Sequence, residues 1–143
     1  MLKVIKSDEN AKIPKYETNG SAGADLSSVE SKVIPARGKA VINTGLRFQI
    51  PEGYEIQIRS RSGLSAKYGI HVLNSPGTID SDYQNDIKII LANHSDNDFQ
   101  VSVGDRIAQM VIAPVIQATF EEIKEFEKET DRGLGGFGST GIN

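Results

Sequence analysis

The chain has 143 residues and a formal net charge of −3, and its basic residues are scattered along the sequence. That scatter excludes the extended positive face on which general nucleic-acid binding depends. Because the chain has no cysteine, disulfides and thiolate metal sites are ruled out, and two histidines are too few for a histidine-based metal cage. We expect a single domain, with any metal ion arriving together with a ligand.

The composition favours a turn-rich β protein over a helical bundle. The chain holds 14 glycines and 5 prolines, and its hydrophobic share of 38% predicts a modest core that neighbouring subunits support. The first ten residues lack the apolar region of a signal peptide, and no run approaches the ~20 apolar residues of a membrane span. We therefore expect a cytoplasmic protein without a membrane partner.

Short β-like runs recur between turn signals along the chain, which predicts an all-β sandwich, jelly roll or barrel. In "YEIQIR", the residues Tyr54, Ile56 and Ile58 share one face, and we expect this face to turn towards the core. In chain order the predicted strands are Leu2 to Lys6, Lys32 to Ile34, Ala40 to Ile42, Leu46 to Ile50, Tyr54 to Arg59, Ile70 to Leu73, Asp86 to Asn93, Phe99 to Val103 and Ile107 to Val115.

Helical signals are sparse. The stretch "SGLSAKYG" predicts one short helix, with Ser62 as its N-cap and Gly69 just past its end. The segment 121–129, "EEIKEFEKE", fits a helix and an edge strand equally well.

Five stretches carry more glycine, hydroxyl and charged residues than strand ends need. Most of their residues have an ordinary explanation as turn formers, surface charges or half-buried aromatics. Gln109 is less easily explained, because it stands in an otherwise apolar strand where a buried amide needs partners. The last stretch resembles a phosphate loop with Ser139 in place of lysine, but too few residues follow it for the helix that such a loop needs. The stretches are "AGADLSS" (22–28), "SRSGLSAKYGI" (60–70), "GTIDSDYQNDI" (77–87), "GDRIAQM" (104–110) and "RGLGGFGSTG" (132–141).

In this order and spacing, the five stretches resemble the trimeric dUTP pyrophosphatases (dUTPases) over residues 22–141. The resemblance implies an all-β, jelly-roll-like fold with one short helix, and a homotrimer whose active sites are shared between subunits. It also implies hydrolysis of dUTP to dUMP and pyrophosphate, with Mg²⁺ held by the triphosphate and not by direct protein ligands. This reaction limits uracil incorporation into DNA and supplies dUMP for dTMP synthesis. On this reading residues 1–130 form the β-barrel domain and residues 131–143 form a flexible glycine-rich lid.

The resemblance also implies which residues face the phosphates. Arg61 and Ser62 contact the phosphates from a turn that includes Gly63. Gln109 contacts a phosphate or the reacting water, and Asp25 orients water around the metal or holds the architecture of the site. Cations are needed here because a nucleoside triphosphate brings about four negative charges to a protein that is itself negative.

On the nucleoside side, Asp80 is implied to position and activate the attacking water while contacting the deoxyribose 3′-OH. Since a carboxylate is far too weak a base to pre-form hydroxide, most of the acceleration must come from in-line positioning and charge stabilisation at the α-phosphorus. Tyr83 is implied to lie against C2′ and leave no room for a ribose hydroxyl. Asn74 and the main chain of Gly77, Thr78 and Ile79 are implied to contact uracil, in a pocket that excludes the 5-methyl of thymine by overlap.

The glycine-rich tail completes the implied site. Phe137 stacks on uracil, Gly138 lets the backbone approach the phosphates, and Ser139 and Thr140 add hydroxyl donors. Arg132 offers its guanidinium to the transition-state charge. Because ordering glycine is entropically costly, closure is expected only with substrate bound, and the family's habit is to cover a neighbouring subunit's site.

One departure from the family pattern and three other readings remain at this point. The family usually has proline where Ser60 stands, which predicts a less rigid turn with unchanged chemistry. A dCTP deaminase-like trimer needs an additional glutamate near the base, and "GTIDSDYQNDI" has none. A nucleotide-gated regulator of the same fold occasionally binds its protein partner through an insertion, for which the stretch 95–103 leaves little room. The third alternative is a structural β protein that binds no nucleotide.

Overall fold

The computed structural model describes residues 2–141, which form short antiparallel strands and one helix. Every strand pair is antiparallel. The elements are β1 (Lys3–Lys6), β2 (Ala24–Ser27), β3 (Lys32–Ile34), β4 (Lys39–Asn43), β5 (Leu46–Gln49), β6 (Tyr54–Arg59), α1 (Ser62–Tyr68), β7 (Ile70–Val72), β8 (Gly77–Ile79), β9 (Lys88–Asn93), β10 (Phe99–Val101) and β11 (Arg106–Pro114).

Four small sheets enclose the core. The largest has the order β2-β11-β6-β8, a second has the order β4-β9-β7, and β1-β5 and β3-β10 form two-stranded sheets. Together they form an open, jelly-roll-like sandwich, because the sheets do not join into one closed ring of hydrogen-bonded strands among residues 2–141. The predicted all-β fold class with one short helix is confirmed.

The core consists of branched aliphatic side chains that alternate along the strands. In β6, Ile56 and Ile58 are buried while Arg59 is exposed, as a strand with one face on the core requires. In β9 nearly every residue is buried or half-buried because this strand lies between two others. The largest fully buried side chains include Leu26, Ile42, Leu46, Ile56, Ile70 and Ile89.

The prediction for the inward face of β6 is wrong at one position. Tyr54 has the same parity as Ile56, but its side chain is 47% exposed. It stands at the end of the strand, opposite Pro114 at the end of β11, where the sheet no longer covers it.

Two strands were not predicted. β2 and β8 lie within the polar stretches "AGADLSS" and "GTIDSDYQNDI", whose glycines and charged residues mask the β pattern. The segment 121–129 forms neither a helix nor a strand, because it leaves the body of the protein and has no element to pair with.

The helix begins one residue earlier than expected. Arg61 is the N-cap residue, with an extended backbone and no capping side-chain hydrogen bond, so the prediction of Ser62 as N-cap is wrong. Gly69 ends the helix as predicted, because its φ of +67° is the left-handed conformation that glycine adopts without strain. No helix within residues 2–141 is long and apolar enough to cross a membrane.

Candidate active site

A cluster of predicted phosphate-side residues surrounds Asp25 in β2. Its Oδ1 accepts a hydrogen bond from Arg61 Nε at 3.1 Å, and its Oδ2 accepts one from Arg106 Nη1 at 2.9 Å. Arg61 Nη1 also donates to the main-chain oxygen of Arg106 at 3.1 Å. The carboxylate is 17% exposed and holds two guanidinium groups side by side. Asp25, Arg61, Arg106 and Gln109 are called the arginine corner below.

Gln109 joins this corner through strand pairing and through its amide. It lies opposite Asp25 on β2 and opposite Arg59 on β6. Its Nε2 donates to the main-chain oxygen of Ser60 at 2.8 Å, and its Oε1 packs against Gly23 so tightly that a Cβ on Gly23 would overlap it. The donor side of this half-buried amide therefore has a polar partner, the Ser60 main-chain oxygen.

Ser60 makes a contact that proline could not make in the same way. Its hydroxyl oxygen accepts a hydrogen bond from the main-chain N–H of Val72 at 2.9 Å. This bond ties the turn before α1 to β7, so the Ser60 side chain restrains the turn without a proline ring.

The arginine corner offers guanidinium donors to an anion. Two guanidinium groups face one carboxylate at hydrogen-bonding distance, and Glu17 lies farther off, 3.8 Å from Arg106 Nη1. Among the described residues, Nη2 of Arg61 has no hydrogen-bond partner, which leaves one edge of its planar fork for a ligand. Ser62 and Gly63 follow at the exposed start of α1, and the space beside Gly63 is open.

A second group of predicted residues lies on residues 74–83, which we call the nucleoside hairpin; its one strand is β8, and this strand pairs with β6. At its start the Asn74 amide packs over Gly77, where an added Cβ would lie 3.2 Å from Asn74 Nδ2 and 3.3 Å from Ile58 Cβ. The intervening Ser75–Pro76 bond is cis. Thr78 and Ile79 continue in β8 against β6, so Asn74 and the three β8 residues lie close together.

Asp80 and Tyr83 lie at the other end of this hairpin. The Tyr83 N–H donates to the Asp80 main-chain oxygen at 3.1 Å, and the Tyr83 hydroxyl donates to the main-chain oxygen of Asp86 at 3.0 Å. Within residues 2–141 the Asp80 carboxylate accepts no hydrogen bond, and it borders an open cleft of about 610 Å³. Glu52, Glu55 and Asp82 also line this cleft, so it offers a triphosphate only repulsion.

The two groups lie far apart in one chain. Ile79 is paired with Ile56, which places Asp80 level with Glu55, whereas Asp25 is level with Arg59. The order β2-β11-β6-β8 also puts the two aspartates on opposite edges of the sheet. Three strand spacings of ~4.8 Å and four residues of ~3.3 Å separate their backbones by on the order of 20 Å.

The tail contacts neither group. Arg132 Nε donates to the Gly135 main-chain oxygen at 3.0 Å, and every hydrogen bond recorded for residues 131–141 stays within residues 130–141. The Phe137 side chain is fully exposed, and Ser139 and Thr140 are exposed with it. The last two residues, 142 and 143, lie outside the described part of the chain.

Sequence reasoning missed Arg106 as a site residue, although it stands in the quoted stretch "GDRIAQM". Nothing in its spacing distinguishes it from a surface arginine; its shared contact with Asp25 appears only when β2 and β11 pair. Within residues 2–141, no group of three or more His, Asp or Glu side chains is placed to hold a metal ion.

The chain is similar to known proteins of one family over nearly its whole length. The family model for dUTPase matches residues 9–141. A deoxyuridine 5′-triphosphate nucleotidohydrolase of Nautilia profundicola is 54% identical over 140 residues, covering 98% of both chains. The enzyme of the same name from Clostridium acetobutylicum is 52% identical over 99% of this chain and 97% of its own.

Solved structures give the same result. A Staphylococcus bacteriophage 80alpha dUTPase with dUpNHpp is 31% identical, covers 99% of both chains and has a TM-score of 0.92. A dUTPase of phage phi11 of S. aureus, described with a structural Mg(II) ion, has a TM-score of 0.83 over 90% of this chain. The chain belongs to the dUTPase family and is a dUTP diphosphatase.

Proposed function

We propose that the chain hydrolyses dUTP by in-line attack of water at the α-phosphorus, in active sites that the subunits of a homotrimer share. The products are dUMP and pyrophosphate, so the reaction limits uracil incorporation into DNA and supplies dUMP for dTMP synthesis. The observation that carries the proposal is the separation of Asp80 from the arginine corner within one chain.

That separation is too large for a single subunit to complete the site. Asp80 must reach the α-phosphorus if it directs water there, and the arginines must contact the same triphosphate. Their backbones lie on the order of 20 Å apart along the sheet, and Arg61 is drawn by Asp25 towards β2, away from β8. A second copy of the chain can bring its arginine corner to the exposed Asp80, and a ring of three copies repeats this contact without leaving a copy unpaired.

The nucleoside hairpin supplies recognition of base and sugar. Asn74 contacts uracil together with the main-chain groups of Gly77, Thr78 and Ile79, since a β8 edge offers free N–H and C=O groups in fixed positions. Tyr83, 40% exposed, lies against C2′ and leaves no space for a ribose hydroxyl. Exclusion by overlap discriminates more strongly than the loss of one methyl contact, which is worth only ~1–3 kcal/mol.

On the phosphate side, Arg61 donates from its free edge to the phosphate oxygens, with Ser62 and Gly63 presenting hydroxyl and main-chain donors. Gln109 contacts a phosphate or the reacting water. Its amide is held by Ser60, so it adds little reorganisation when the ligand binds. Arg106 keeps Asp25 occupied and thereby keeps two positive groups beside each other.

Asp80 orients the attacking water and contacts the 3′-OH. Its carboxylate is exposed and free of hydrogen bonds within residues 2–141, so both oxygens can accept from a water and from the sugar. The proton leaves the water only as the new P–O bond forms, because a carboxylate is too weak a base to remove it beforehand. The cations of the site stabilise the charge on the phosphoryl oxygens.

Magnesium fits this arrangement as a companion of the substrate. Both oxygens of Asp25 are already engaged by arginines, so this residue suits a role in orienting metal-bound water and not direct ligation. When bound to the triphosphate, Mg²⁺ supplies charge neutralisation and fixes the conformation of the phosphate chain.

The tail, residues 131–143, acts as a lid on a site that lies outside its own subunit. Exposure of Phe137 and hydrogen bonding that stays within residues 130–141 support this, because such a segment has its partner elsewhere. Phe137 stacks on uracil, Gly138, Ser139 and Thr140 face the phosphates, and Arg132 contacts the transition-state charge.

The nucleotide-gated regulator, one of the three other readings, gains no support from the connections near the end of the fold. Both connections near the end of the fold are short turns, 94–98 between β9 and β10 and 102–105 between β10 and β11, so an inserted partner-binding module is absent from this part of the described chain. The phage dUTPases described as controlling transfer of virulence genes resemble this chain in fold, which says nothing of such a role here.

The test is subunit complementation. The variants Asp80→Asn and Arg61→Gln are each expected to be nearly inactive as purified trimers. After denaturation and refolding of an equal mixture, about a quarter of the sites should pair an intact Asp80 with an intact Arg61 from the neighbouring subunit, if each site takes one from each of two copies. Activity near a quarter of the wild-type level supports the shared site, and activity no higher than that of the separate variants refutes it. Each variant refolded alone is the control.

A further inference from the structure

Asp86 anchors the segment that follows the nucleoside hairpin to three other parts of the chain. Its Oδ1 accepts hydrogen bonds from Ser7 Oγ and Arg47 Nε, each at 2.7 Å. Its Oδ2 accepts one from Asn43 Nδ2 at 3.1 Å. These donors lie just after β1, at the end of β4 and in β5, and the carboxylate is 16% exposed. One side chain therefore ties this segment to two sheets.

The backbone on either side of Asp86 carries this anchoring to Tyr83. The Ile87 N–H donates to the Leu46 oxygen at 2.8 Å, and the Thr44 N–H donates to the Ile87 oxygen at 3.1 Å. The Tyr83 hydroxyl donates to the Asp86 main-chain oxygen at 3.0 Å. The direction of the Tyr83 ring therefore depends on where the Asp86 backbone is held.

We propose that Asp86 is a positioning residue for sugar discrimination, acting through Tyr83. This inference rests on the proposed function, in which Tyr83 lies against C2′ of the substrate. Exclusion of a hydroxyl by overlap requires the ring to stay in place when a ribonucleotide pushes against it. A ring held only by its own loop yields, whereas a ring bonded to an anchored backbone does not.

The three donors explain why this position needs a carboxylate. Two acceptor oxygens receive three donors, one of them a guanidinium, and these bonds hold the pKa of Asp86 at about 2, with Arg47 and Ser7 as the largest causes. In Asp86→Asn, an NH₂ group replaces one of the two acceptor oxygens, so at least one of the three donors would face another donor. Asn43 could not turn its own amide to compensate, because its Oδ1 accepts the Gly45 N–H at 2.9 Å.

The experiment compares kcat/KM for dUTP and UTP in wild type, Asp86→Asn, Tyr83→Ala and the double variant. For Asp86→Asn we expect the UTP/dUTP ratio of kcat/KM to rise about tenfold or more, the lower range for discrimination by a small group. Tyr83→Ala should raise it further, and the double variant should match Tyr83→Ala, because Asp86 has no effect once the ring is gone. Tyr83→Phe, which keeps the ring and loses the hydroxyl, should resemble Asp86→Asn.

Asp96→Asn is the matched control. Asp96 also accepts a hydrogen bond from an arginine, Arg37 Nε at 2.8 Å, but both side chains are exposed and neither contacts the hairpin. Its ratio should stay at the wild-type value. If Asp86→Asn does not fold, Arg47→Gln removes one donor from a partly exposed position and should raise the ratio by a smaller factor.

The possible outcomes distinguish failure of the inference about Asp86 from failure of the proposed role of Tyr83. A wild-type ratio in the folded Asp86 or Arg47 variant, together with a raised ratio in Tyr83→Ala, overturns the inference and leaves the proposed role of Tyr83 intact. A wild-type ratio in Tyr83→Ala overturns the role of Tyr83 and with it the inference. A double variant that discriminates less than Tyr83→Ala shows that Asp86 acts by another route, which also overturns the inference.

Discussion

The arginine corner and the C-terminal tail differ in how much of their geometry exists before a ligand arrives. In the corner, Asp25 holds Arg61 and Arg106 at 3.1 and 2.9 Å, and Gln109 is held by Ser60 at 2.8 Å. In the tail, the Arg132 side chain donates its one hydrogen bond among residues 2–141 to Gly135, three residues away, and the Phe137 side chain is fully exposed.

This contrast divides the proposed work of catalysis. A preorganised corner stabilises charge without reorganising during the reaction. A segment that orders on binding instead excludes water and adds its cation only when the correct substrate is present, at an entropic cost. In the proposed function, the arginine corner is a fixed set of phosphate donors and the tail is a conditional one, and predictions that change either of the two test this contrast.

Removing the C-terminal tail should have the largest effect on kcat. A stop codon in place of Arg132 is expected to lower kcat by ~10³-fold or more, the lower range for loss of an arginine that contacts transferred phosphoryl charge. The melting temperature and the proposed trimer should be unchanged, since the hydrogen bonds of residues 131–141 stay within residues 130–141. Steady-state kinetics and size-exclusion chromatography measure both. Unchanged turnover would end the lid proposal, and loss of the trimer would show that the tail is structural.

Asp80→Asn should lower kcat by ~10²- to 10⁴-fold, the usual range for loss of a group that directs proton transfer. Stability should change by less than about 0.5 kcal/mol, because the carboxylate is exposed and has no hydrogen bond to lose among residues 2–141. Glu52→Gln, which removes a charge from the same cleft, is the control and should keep nearly full activity. Equal losses in the two variants would mean that the charge of the cleft matters and not the position of Asp80.

Disturbing the arginine corner by a single added methyl group should have an intermediate effect on kcat/KM. A Cβ in Gly23→Ala would overlap Gln109 Oε1, and the flexible amide is the group that must move. Because displacement by ~1 Å can cost ~10²-fold in rate, we expect kcat/KM for dUTP to fall roughly 10- to 100-fold.

Gly20→Ala is the matched control for Gly23→Ala. Its added Cβ meets nothing within 4 Å, and Gly20 has no positive φ. It should behave as wild type. A Gly23→Ala enzyme with full activity would show that the position of the Gln109 amide is not critical.

Much of the fold could be predicted from alternation alone. The bounds of β3 and β6 are as predicted, and most other strands differ by one or two residues at an end. The two missed strands, β2 and β8, both carry proposed site residues. Asp25 and Gly77 are poor strand formers, so if they serve the proposed site, local preference and function conflict at these positions.

The site itself was only partly predictable. The motif stretches identified Asp25, Arg61 and Gln109, and pairing of β2 with β11 and β11 with β6 does bring them together. No local pattern could reveal that Arg106 shares the Asp25 carboxylate, or that the Ser60 hydroxyl replaces the constraint of a proline, because both contacts join residues distant in sequence.

The smallest expected effect concerns how firmly the nucleoside hairpin is tied to the body. The pKa of Asp86 is lowered from 3.8 to about 2 by Arg47 and Ser7, so the folded state favours the ionised form. Its stabilising contribution is therefore fully present above the unfolded pKa and is lost as the pH falls through the folded value. We expect wild type to melt a few degrees above Asp86→Asn from about pH 5 to 8, and this difference to shrink as the pH is lowered from 4 towards 2.

Asp96→Asn distinguishes a buried anchor from an exposed ion pair in the same experiment. Arg37 lowers the pKa of Asp96 as well, but both side chains are largely in solvent, where such a pair contributes little. The melting temperature of Asp96→Asn should follow that of wild type at every pH. All samples are compared at one protomer concentration, because the stability of an oligomer depends on that concentration. If Asp86→Asn also follows wild type, the three hydrogen bonds do not anchor the hairpin, and Tyr83 is positioned by its own loop.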